Sequence, residues 1–499
     1  MSSPDRRSFL SASALGLGGL AFLDKLPAVS AAEAQVDPKL VKLDPQIEPL
    51  VRLLEETPRD KVLEEVGSRV KSGTPYRDVL AALLLAGVRN VQPRPVGFKF
   101  HAVLVVNSAH LASLASPDRE RWLPIFWAID NFKVSQARNQ AEGGWRMPRV
   151  DESKVPAAHQ VEDEFLTAMN TWDETRADTA AAGLARFSST DRAFNLFARI
   201  GCRDFRDIGH KAIFVANAFR TLQIIGPQHA EPVYRSLAYA LLEHEGDNPA
   251  KRDADQDRPG RKNLEIVSTI RADWLDGKPN PAIVESVLER VRSDGATEVS
   301  QFAANLVNKG ARAGDVWDGL FLAAGELLMR QPGIVGLHTL TTLNALHYTF
   351  QTAADETTRK LVMLQGASFL PMFLQAMKSR GKVGDVKIEE LGPAAQDEKP
   401  TLENVFDTLS TDRMQAARLA MSVQKQPDGA RRIADAGRML VFLKGTDSHD
   451  YKFSSAVLED YSHITPAWRD RFLAASLFWL KGSKGKNSPL LDRTRAALT

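Results

Sequence analysis

The chain has 499 residues, and its 64 lysines and arginines against 62 aspartates and glutamates leave a formal net charge of only +2. This composition excludes a disordered or collagen-like chain. It gives no support for a nucleic-acid-binding protein, which normally carries a clear basic excess. The single cysteine, Cys202, excludes an internal disulfide, a four-cysteine zinc site and an iron–sulfur cluster held by this chain alone. Histidine is therefore the main side chain left for binding a transition metal.

The first residues are typical of an export signal. Residues 5–11, Asp-Arg-Arg-Ser-Phe-Leu-Ser, resemble the twin-arginine motif, and the Gly/Ala-rich apolar stretch over 10–23 is too short for a good membrane span. Small residues at 29–34 offer a cleavage site after Ala34. We therefore predict a signal peptide over residues 1–34 and export of the folded chain to the periplasm or cell envelope. Many proteins exported by this route load a metal or organic cofactor first.

The rest of the chain has the pattern of helices. Apolar residues recur at spacings of three and four, as in Val79, Leu80, Leu83 and Leu84, and alternating strands joined by hairpin turns are nearly absent. Helix-start signals such as Ser189-Thr190-Asp191 are frequent. The pattern predicts an all-α fold. No later run reaches the length of apolar sequence that a membrane span needs, so no stable span is expected in the mature chain.

Polar, Pro/Gly-rich stretches at about 139–156, 246–262 and 380–400 divide the mature chain into four blocks of similar length. We therefore predict four tandem multi-helix repeats of about 110 residues that form a helical bundle or a superhelical array. The predicted boundaries are residues 35–145, 146–255, 256–390 and 391–482, followed by a C-terminal tail over 483–499.

Each block repeats a glycine and, nine to fourteen residues later, a histidine at which an apolar helix begins. The glycines are Gly87, Gly201, Gly325 and Gly437, and the histidines are His101, His210, His338 and His449. The first and third blocks agree most closely, because both contain His-x5-Asn-x2-His, over 101–110 and over 338–347. The recurrence of histidine, glycine and loop together favours a duplicated helical unit over chance similarity.

An asparagine follows the histidine in three of the blocks. Asn217 lies seven residues after His210, on the same helical face, whereas the six residues from His101 to Asn107 turn that asparagine away by about a third of a circle. Asn107 and His110 share a face, as do Asn344 and His347. The fourth block has no asparagine at this position.

If the four units pack around a common axis, the equivalent histidines line one cavity. Neutral imidazole is the commonest metal ligand, and several converging histidines suit Fe, Mn, Cu or Zn. The predicted metal ligands are His101, His210, His338 and His449, the predicted catalytic residues are His210, His338, Asn217 and Asn344, and the supporting polar residues are Asn107, His110 and His347. In the competing interpretation these histidines cap or pack helices, because a repeat protein copies structural residues as readily as functional ones.

Two segments resemble a known family. Residues 205–218 and 336–346 are similar to helix starts in a family of helical bacterial proteins, several of which carry a C-terminal Rieske-type iron–sulfur domain. The arrangement is also distantly similar to questin-oxidase-like proteins, which are helical and implicated in oxygen-dependent ring cleavage. The resemblance implies an oxidoreductase body, matched at His210, Asn217, His338 and Asn344. A Rieske cluster needs two cysteines, so that domain is absent and electron transfer would need a partner.

The sequence therefore predicts an exported, metal-dependent oxidoreductase or oxygenase that acts on a small organic substrate in a histidine-lined cavity. The alternative is a non-enzymatic helical-repeat scaffold in the cell envelope, which would bind a protein partner on a concave surface and keep the four histidines apart. A hydrolase built on Asp447 and His449 is weaker, because no Gly-x-Ser-x-Gly elbow supplies a nucleophile.

Overall fold

The computed structural model describes residue 37, residues 39–395 and residues 400–499. The predicted signal peptide over 1–34 lies outside the described residues. Within them the chain forms 23 α-helices and no β-strand, only two isolated bridges. The predicted all-α fold is confirmed. No helix in the described part of the chain is both long and apolar enough to cross a membrane.

Eleven helices lie in the first half of the described chain. The first six are α1 (Glu48–Glu56), α2 (Val62–Lys71), α3 (Tyr76–Asn90), α4 (His101–Leu104), α5 (Val106–Leu114) and α6 (Leu123–Ala141). The next five are α7 (Val161–Thr171), α8 (Glu174–Phe187), α9 (Thr190–Gly201), α10 (His210–Ile225) and α11 (Ala230–Leu241).

The second half of the chain contains the other twelve helices. Six of them are α12 (Arg258–Val267), α13 (Ala282–Ser293), α14 (Ala296–Asn308), α15 (Ala313–Arg330), α16 (Ile334–Thr352) and α17 (Glu356–Lys378). The last six are α18 (Leu402–Leu409), α19 (Arg413–Val423), α20 (Gly429–Lys444), α21 (Ser448–His463), α22 (Arg469–Ser476) and α23 (Leu490–Leu498).

Four helices form a closed ring at the centre of the fold. Helix α5 packs on α10, α10 on α16, α16 on α21, and α21 returns to α5. Almost every residue of α10 and α16 is buried, as expected for helices surrounded on all sides by other helices. One hydrophobic core continues through this ring into the outer helices. The ring agrees with four units around a common axis, while the repeat boundaries stay a prediction.

Two of the repeated glycines have a packing reason. A Cβ atom on Gly87 would lie 2.8 Å from Cγ2 of Val103, and one on Gly201 would lie 2.7 Å from Cγ2 of Val215. Both separations are shorter than a normal carbon–carbon contact of about 3.5–4.0 Å. Glycine therefore lets α3 and α9 approach the helices that begin at the first two repeated histidines.

The start of α21 is fixed by its own side chains. The Asp447 carboxylate accepts a hydrogen bond from the backbone N–H of His449, and the Asp450 carboxylate accepts from the N–H of Asp447. This capping box satisfies backbone donors that the first turn of a helix leaves free. The fourth repeated histidine is thereby held at the helix start.

Candidate metal centre

The structure brings the four repeated histidines together at one end of the central ring of helices. His101 and His210 are the first residues of α4 and α10, and His449 is the second residue of α21. His338 lies one turn inside α16. One nitrogen from each of the four lies within 4.8 Å of the other three. The scaffold alternative expects these residues to lie apart, which is not what is observed.

The imidazoles follow the order of the chain around the centre. Ring centroids lie 4.9 Å apart for His101 and His210, 4.4 Å for His210 and His338, 5.2 Å for His338 and His449, and 4.4 Å for His449 and His101. Nε2 of His210 is 3.1 Å from Nε2 of His101 and 3.0 Å from Nε2 of His338. We call these four residues the histidine ring.

Three members of the histidine ring have their outer nitrogen fixed by a backbone carbonyl. Nδ1 donates to the carbonyl oxygen of Phe98 in His101, of Asp207 in His210 and of Ile334 in His338, at 2.9, 2.5 and 2.6 Å. Because a carbonyl oxygen only accepts, each Nδ1 carries the hydrogen, and in a neutral imidazole Nε2 then has a free lone pair. Three lone pairs therefore point at the centre of the ring.

The fourth histidine is held by a carboxylate. Nδ1 of His449 lies 3.3 Å from Oδ1 of Asp447, and its Nε2 is buried without a hydrogen-bond partner. A carboxylate on the outer nitrogen is typical of metal-bound histidine, because it orients the ring and raises its basicity. A buried nitrogen without a partner is costly. A metal ion at the centre supplies one partner to all four rings, so the residues present fit a metal.

Burial keeps the histidine ring in the form that binds a metal. Desolvation lowers the pKa of His101, His210 and His338 well below the usual histidine value, and the nearby positive charge of Lys452 lowers it further. These three imidazoles are therefore neutral at neutral pH. A metal ion does not have to displace a proton from them.

The turns before α4 and α10 adopt strained backbone conformations. Phe98, Asp207 and Ile208 have φ angles of 44°, 53° and 47°, which cost an L-residue with a Cβ atom roughly 1–2 kcal/mol each. Ile208 is β-branched, so its conformation is a clear outlier. Phe98 and Asp207 are the residues whose carbonyls fix His101 and His210. The strain therefore serves to aim two of the imidazoles.

Glycines complete both turns. Gly97 has φ 142°, and a Cβ atom there would lie 3.4 Å from Cε1 of His210 and 3.6 Å from Cε1 of His101. Gly209 has φ 84°, and a Cβ atom there would lie 2.2 Å from Oγ1 of Thr342. The backbone of the first turn thus approaches two imidazoles closely, and that of the second approaches α16.

The histidine ring forms part of the wall of a cleft of about 1020 Å³. Three apolar side chains of the lining are unusually exposed: Phe98 at 65%, Val134 at 42% and Ile334 at 39%. Cavities of roughly 300–1,000 Å³ with apolar walls are the usual binding sites of small organic molecules. The cleft is large enough for such a molecule beside the histidine ring.

The asparagines lie deeper in the bundle than the histidine ring. Asn107, Asn217 and Asn344 line a second, very small cavity between the central helices and are not part of the cleft lining. Asn217 donates to the carbonyl oxygen of Leu104 at 2.9 Å, and Asn344 donates to the Asp460 carboxylate at 2.9 Å. These bonds tie neighbouring helices together. A catalytic role of Asn217 and Asn344 stays a prediction.

His110 and His347 also lie away from the histidine ring. Nδ1 of His110 is 3.0 Å from the Tyr76 hydroxyl oxygen. The ring of His347 packs against Trp317 and Phe321, with centroids 4.9 and 5.0 Å away. Burial lowers the pKa of His347 to about 3. Both histidines belong to the core.

The sequence patterns missed the residues that surround the histidine ring. Phe98, Asp207 and Ile334 contribute through backbone carbonyls, which carry no side-chain signature. Their common signal is the position three or four residues before a repeated histidine. Lys452 has a clearer signal, because it follows His449 by three residues and therefore shares its helical face.

Comparison of the chain with protein-family models, with characterised proteins and with solved structures gives no match in any of the three. The resemblance to Rieske-associated and questin-oxidase-like proteins stays a prediction. The functional interpretation therefore depends on the geometry of the histidine ring and the cleft.

Gly209→Ala tests the turn that aims His210. The added Cβ meets Thr342, so we expect a loss of about 2–4 kcal/mol in the free energy of unfolding, together with weaker metal binding. Gly310→Ala is the matched control, because Gly310 has φ 88° with no atom within 4 Å of its Cβ position. It should lose only about 1 kcal/mol. Equal losses in urea unfolding would contradict the packing argument.

His347→Gln tests the buried neutral histidine. Its pKa of about 3 in the folded chain lies below the unfolded value of about 6.5. The unfolded chain therefore takes up a proton first, and stability is lost as pH falls from about 6.5 towards 3. Between pH 8 and pH 5 we expect His347 to account for about 2 kcal/mol of the wild-type loss, which the variant should not show. Unfolding of the exposed-residue variant His159→Gln controls for removing a histidine.

Proposed function

We propose that this protein is a metal-dependent oxidoreductase or oxygenase that acts on a small organic substrate in the cleft beside the histidine ring. The observation that carries the proposal is the convergence of four imidazoles, three of them neutral with their Nε2 lone pairs aimed at one point. A set of nitrogen ligands without a carboxylate suits Fe, Cu or Zn better than Mg or Ca. When bound, a redox-active metal supplies electron transfer or activates dioxygen.

The spacing of the nitrogens supports a redox-active metal over zinc. At a metal–nitrogen distance of about 2.0–2.1 Å, neighbouring ligands lie about 2.9 Å apart in a square and about 3.4 Å apart in a tetrahedron. Nε2 of His210 lies 3.1 Å from that of His101 and 3.0 Å from that of His338, closer to the square. Nε2 of His449 has no hydrogen-bond partner among the described residues, so the square spacing holds at the two sides that meet at His210. Tetragonal nitrogen sites favour Cu(II) or Ni(II), whereas structural zinc is almost always tetrahedral.

The cleft supports a substrate with apolar surface. Phe98 and Ile334 expose their side chains to the cleft while their backbone carbonyls hold His101 and His338. The same residues would thus contact a bound molecule and orient two ligands of the metal. An exposed phenylalanine on a strained backbone does not stabilise the fold, and such positions occur mainly at functional sites. Bound there, an organic molecule would exclude water from the histidine ring.

The N-terminal segment supports export of a folded, loaded protein. The twin-arginine-like sequence at residues 5–11 is typical of chains exported in the folded state, many of which load a cofactor first while many others carry none. We therefore propose the periplasm or cell envelope as the place of action. The lack of cysteines for an iron–sulfur cluster means that electrons would come from a partner or from the substrate itself.

Metal analysis tests the histidine ring. The full chain, produced in medium supplemented with Fe, Cu, Mn and Zn, should contain about one metal ion per chain. His210→Ala and His338→Ala should lose most of that metal while keeping a helical circular-dichroism spectrum. His229→Ala is the matched control, because His229 is also buried but lies outside the histidine ring. A metal-free wild type, or metal that survives both substitutions, contradicts the proposal.

A second measurement separates an oxidoreductase from a zinc protein. Electron paramagnetic resonance of the loaded protein should show a metal signal that disappears on reduction with dithionite and returns in air. Coordination of Cu(II) by the histidine ring should add hyperfine splitting from the imidazole nitrogens. Exclusive loading with zinc from the mixed medium would leave a metal centre in place but contradict the redox function.

A further inference from the structure

A buried lysine lies below the histidine ring, on the side away from the cleft. Lys452 is on α21, one turn beyond His449, and is only 2% exposed. Its Nζ has no hydrogen-bond partner. Because an ammonium group is almost never buried without a partner, this atom needs an explanation that the fold itself does not supply.

A second buried donor without a partner lines the same space. Nδ2 of Asn107, on α5, is buried and unbonded among the described residues. Lys452 and Asn107 both line one small space of about 10 Å³ between the central helices. That volume holds a single particle about the size of a water molecule. Two donors left unbonded there would carry the full cost of their removal from water.

The carboxylates on the helix of Lys452 have other partners. Glu459 accepts from Arg220 at 2.8 Å and from Asn344 at 2.7 Å. Oδ1 of Asp460 accepts from Asn344 at 2.9 Å, while its Oδ2 is buried without a hydrogen-bond partner among the described residues. Asp450, which lies only two residues before Lys452, pairs with Lys481 at 3.0 Å and accepts from the backbone N–H of Thr446.

Among the described residues, no carboxylate forms an ion pair or a hydrogen bond with the Lys452 ammonium group. The three neutral histidines carry none, and the carboxylate whose charge acts on Lys452 is that of Asp447, which lines the cleft and is bonded to His449. Burial lowers the pKa of Lys452 to about 7. The shift expresses how unfavourable a positive charge is in this layer when nothing balances it.

We propose that this small space binds one monatomic anion of the chloride type, held by Lys452 Nζ and Asn107 Nδ2. Both unbonded groups are donors, so the occupant has to accept two hydrogen bonds. An anion does this and also balances the ammonium charge, whereas a water molecule must in addition place two hydrogens. The site lies in the described core, separate from the cleft, and does not depend on a metal being bound.

Bromide is the probe for this site in crystals. Crystals of the full chain grown or soaked in sodium bromide should show an anomalous peak within about 3.1–3.5 Å of Lys452 Nζ and Asn107 Nδ2. The same position should have no peak in Lys452→Met. An ordered water with no anomalous signal at high bromide concentration would overturn the proposal.

Thermal unfolding tests the site in solution. At constant ionic strength, replacing gluconate by chloride or bromide should raise the wild-type Tm by about 2 °C at saturation. Lys452→Met should lose that rise. Lys133→Met is the matched control, because Lys133 is a buried lysine whose Nζ already donates to two backbone carbonyls and Gln136. It should keep the halide response, and an unchanged response in Lys452→Met would refute the site.

Asn107→Asp keeps the test decisive if Lys452→Met folds poorly. The new carboxylate would lie beside Lys452 and replace the anion, so this variant should be at least as stable as wild type in gluconate and insensitive to halide. A halide response equal to that of wild type contradicts the proposal. Metal content is measured on the same samples. It distinguishes failure of the proposed anion site from failure of the proposed metal centre, because a halide response can be present with or without a metal in the histidine ring.

Discussion

The structure depends on four imidazole rings that face one another at the wall of the cleft. Nitrogen atoms 3.0 and 3.1 Å apart normally share a hydrogen, but the hydrogens of His101, His210 and His338 are already donated to backbone carbonyls. The lone pairs on the Nε2 atoms of these neighbouring histidines therefore face one another. A cation at the centre turns that repulsion into bonding, so folding of this end of the bundle and metal binding are thermodynamically coupled.

The closed ring of α5, α10, α16 and α21 brings the four histidines together. The turns before the helices then fix the orientation of the imidazole rings. His210 and His449 reach the axis from helix starts, His338 from one turn inside α16, and His101 from the short helix α4 that precedes α5. In two of the turns, residues such as Asp207 and Ile208 take left-handed conformations that their side chains disfavour. Such conformations persist only where the surrounding packing determines them. The close approach of Gly209 to Thr342 of α16 is part of that packing.

The apolar periodicity predicts the all-helical fold, and the repeated Gly–His pattern predicts the four histidines that the structure brings together. The pattern does not predict the depth of the asparagines. Helix geometry continued from His101 to Asn107 assumes one helix, whereas the structure ends α4 at Leu104 and begins α5 at Val106. The burial of Lys452 is not predicted either, because a lysine in a helix normally faces solvent. Only the packing of the central helices shows that this side chain is buried. The strained turns are not predicted because their backbone conformations oppose the local preferences on which a sequence pattern relies.

The charges along the axis connect the two proposed sites. The histidine ring, with His101, His210 and His338 neutral, lies between the Asp447 carboxylate at the cleft and the Lys452 ammonium in the core. A divalent cation in the ring would add positive charge close to an ammonium group that has no partner of its own. A small anion below the ring opposes both charges, so each ion lowers the electrostatic cost of binding the other. Because linkage is reciprocal, occupancy of the buried anion site would strengthen metal binding by the same factor by which the metal strengthens anion binding. The polar layer that carries the anion is then part of the metal centre in energetic terms, although none of its side chains lines the cleft.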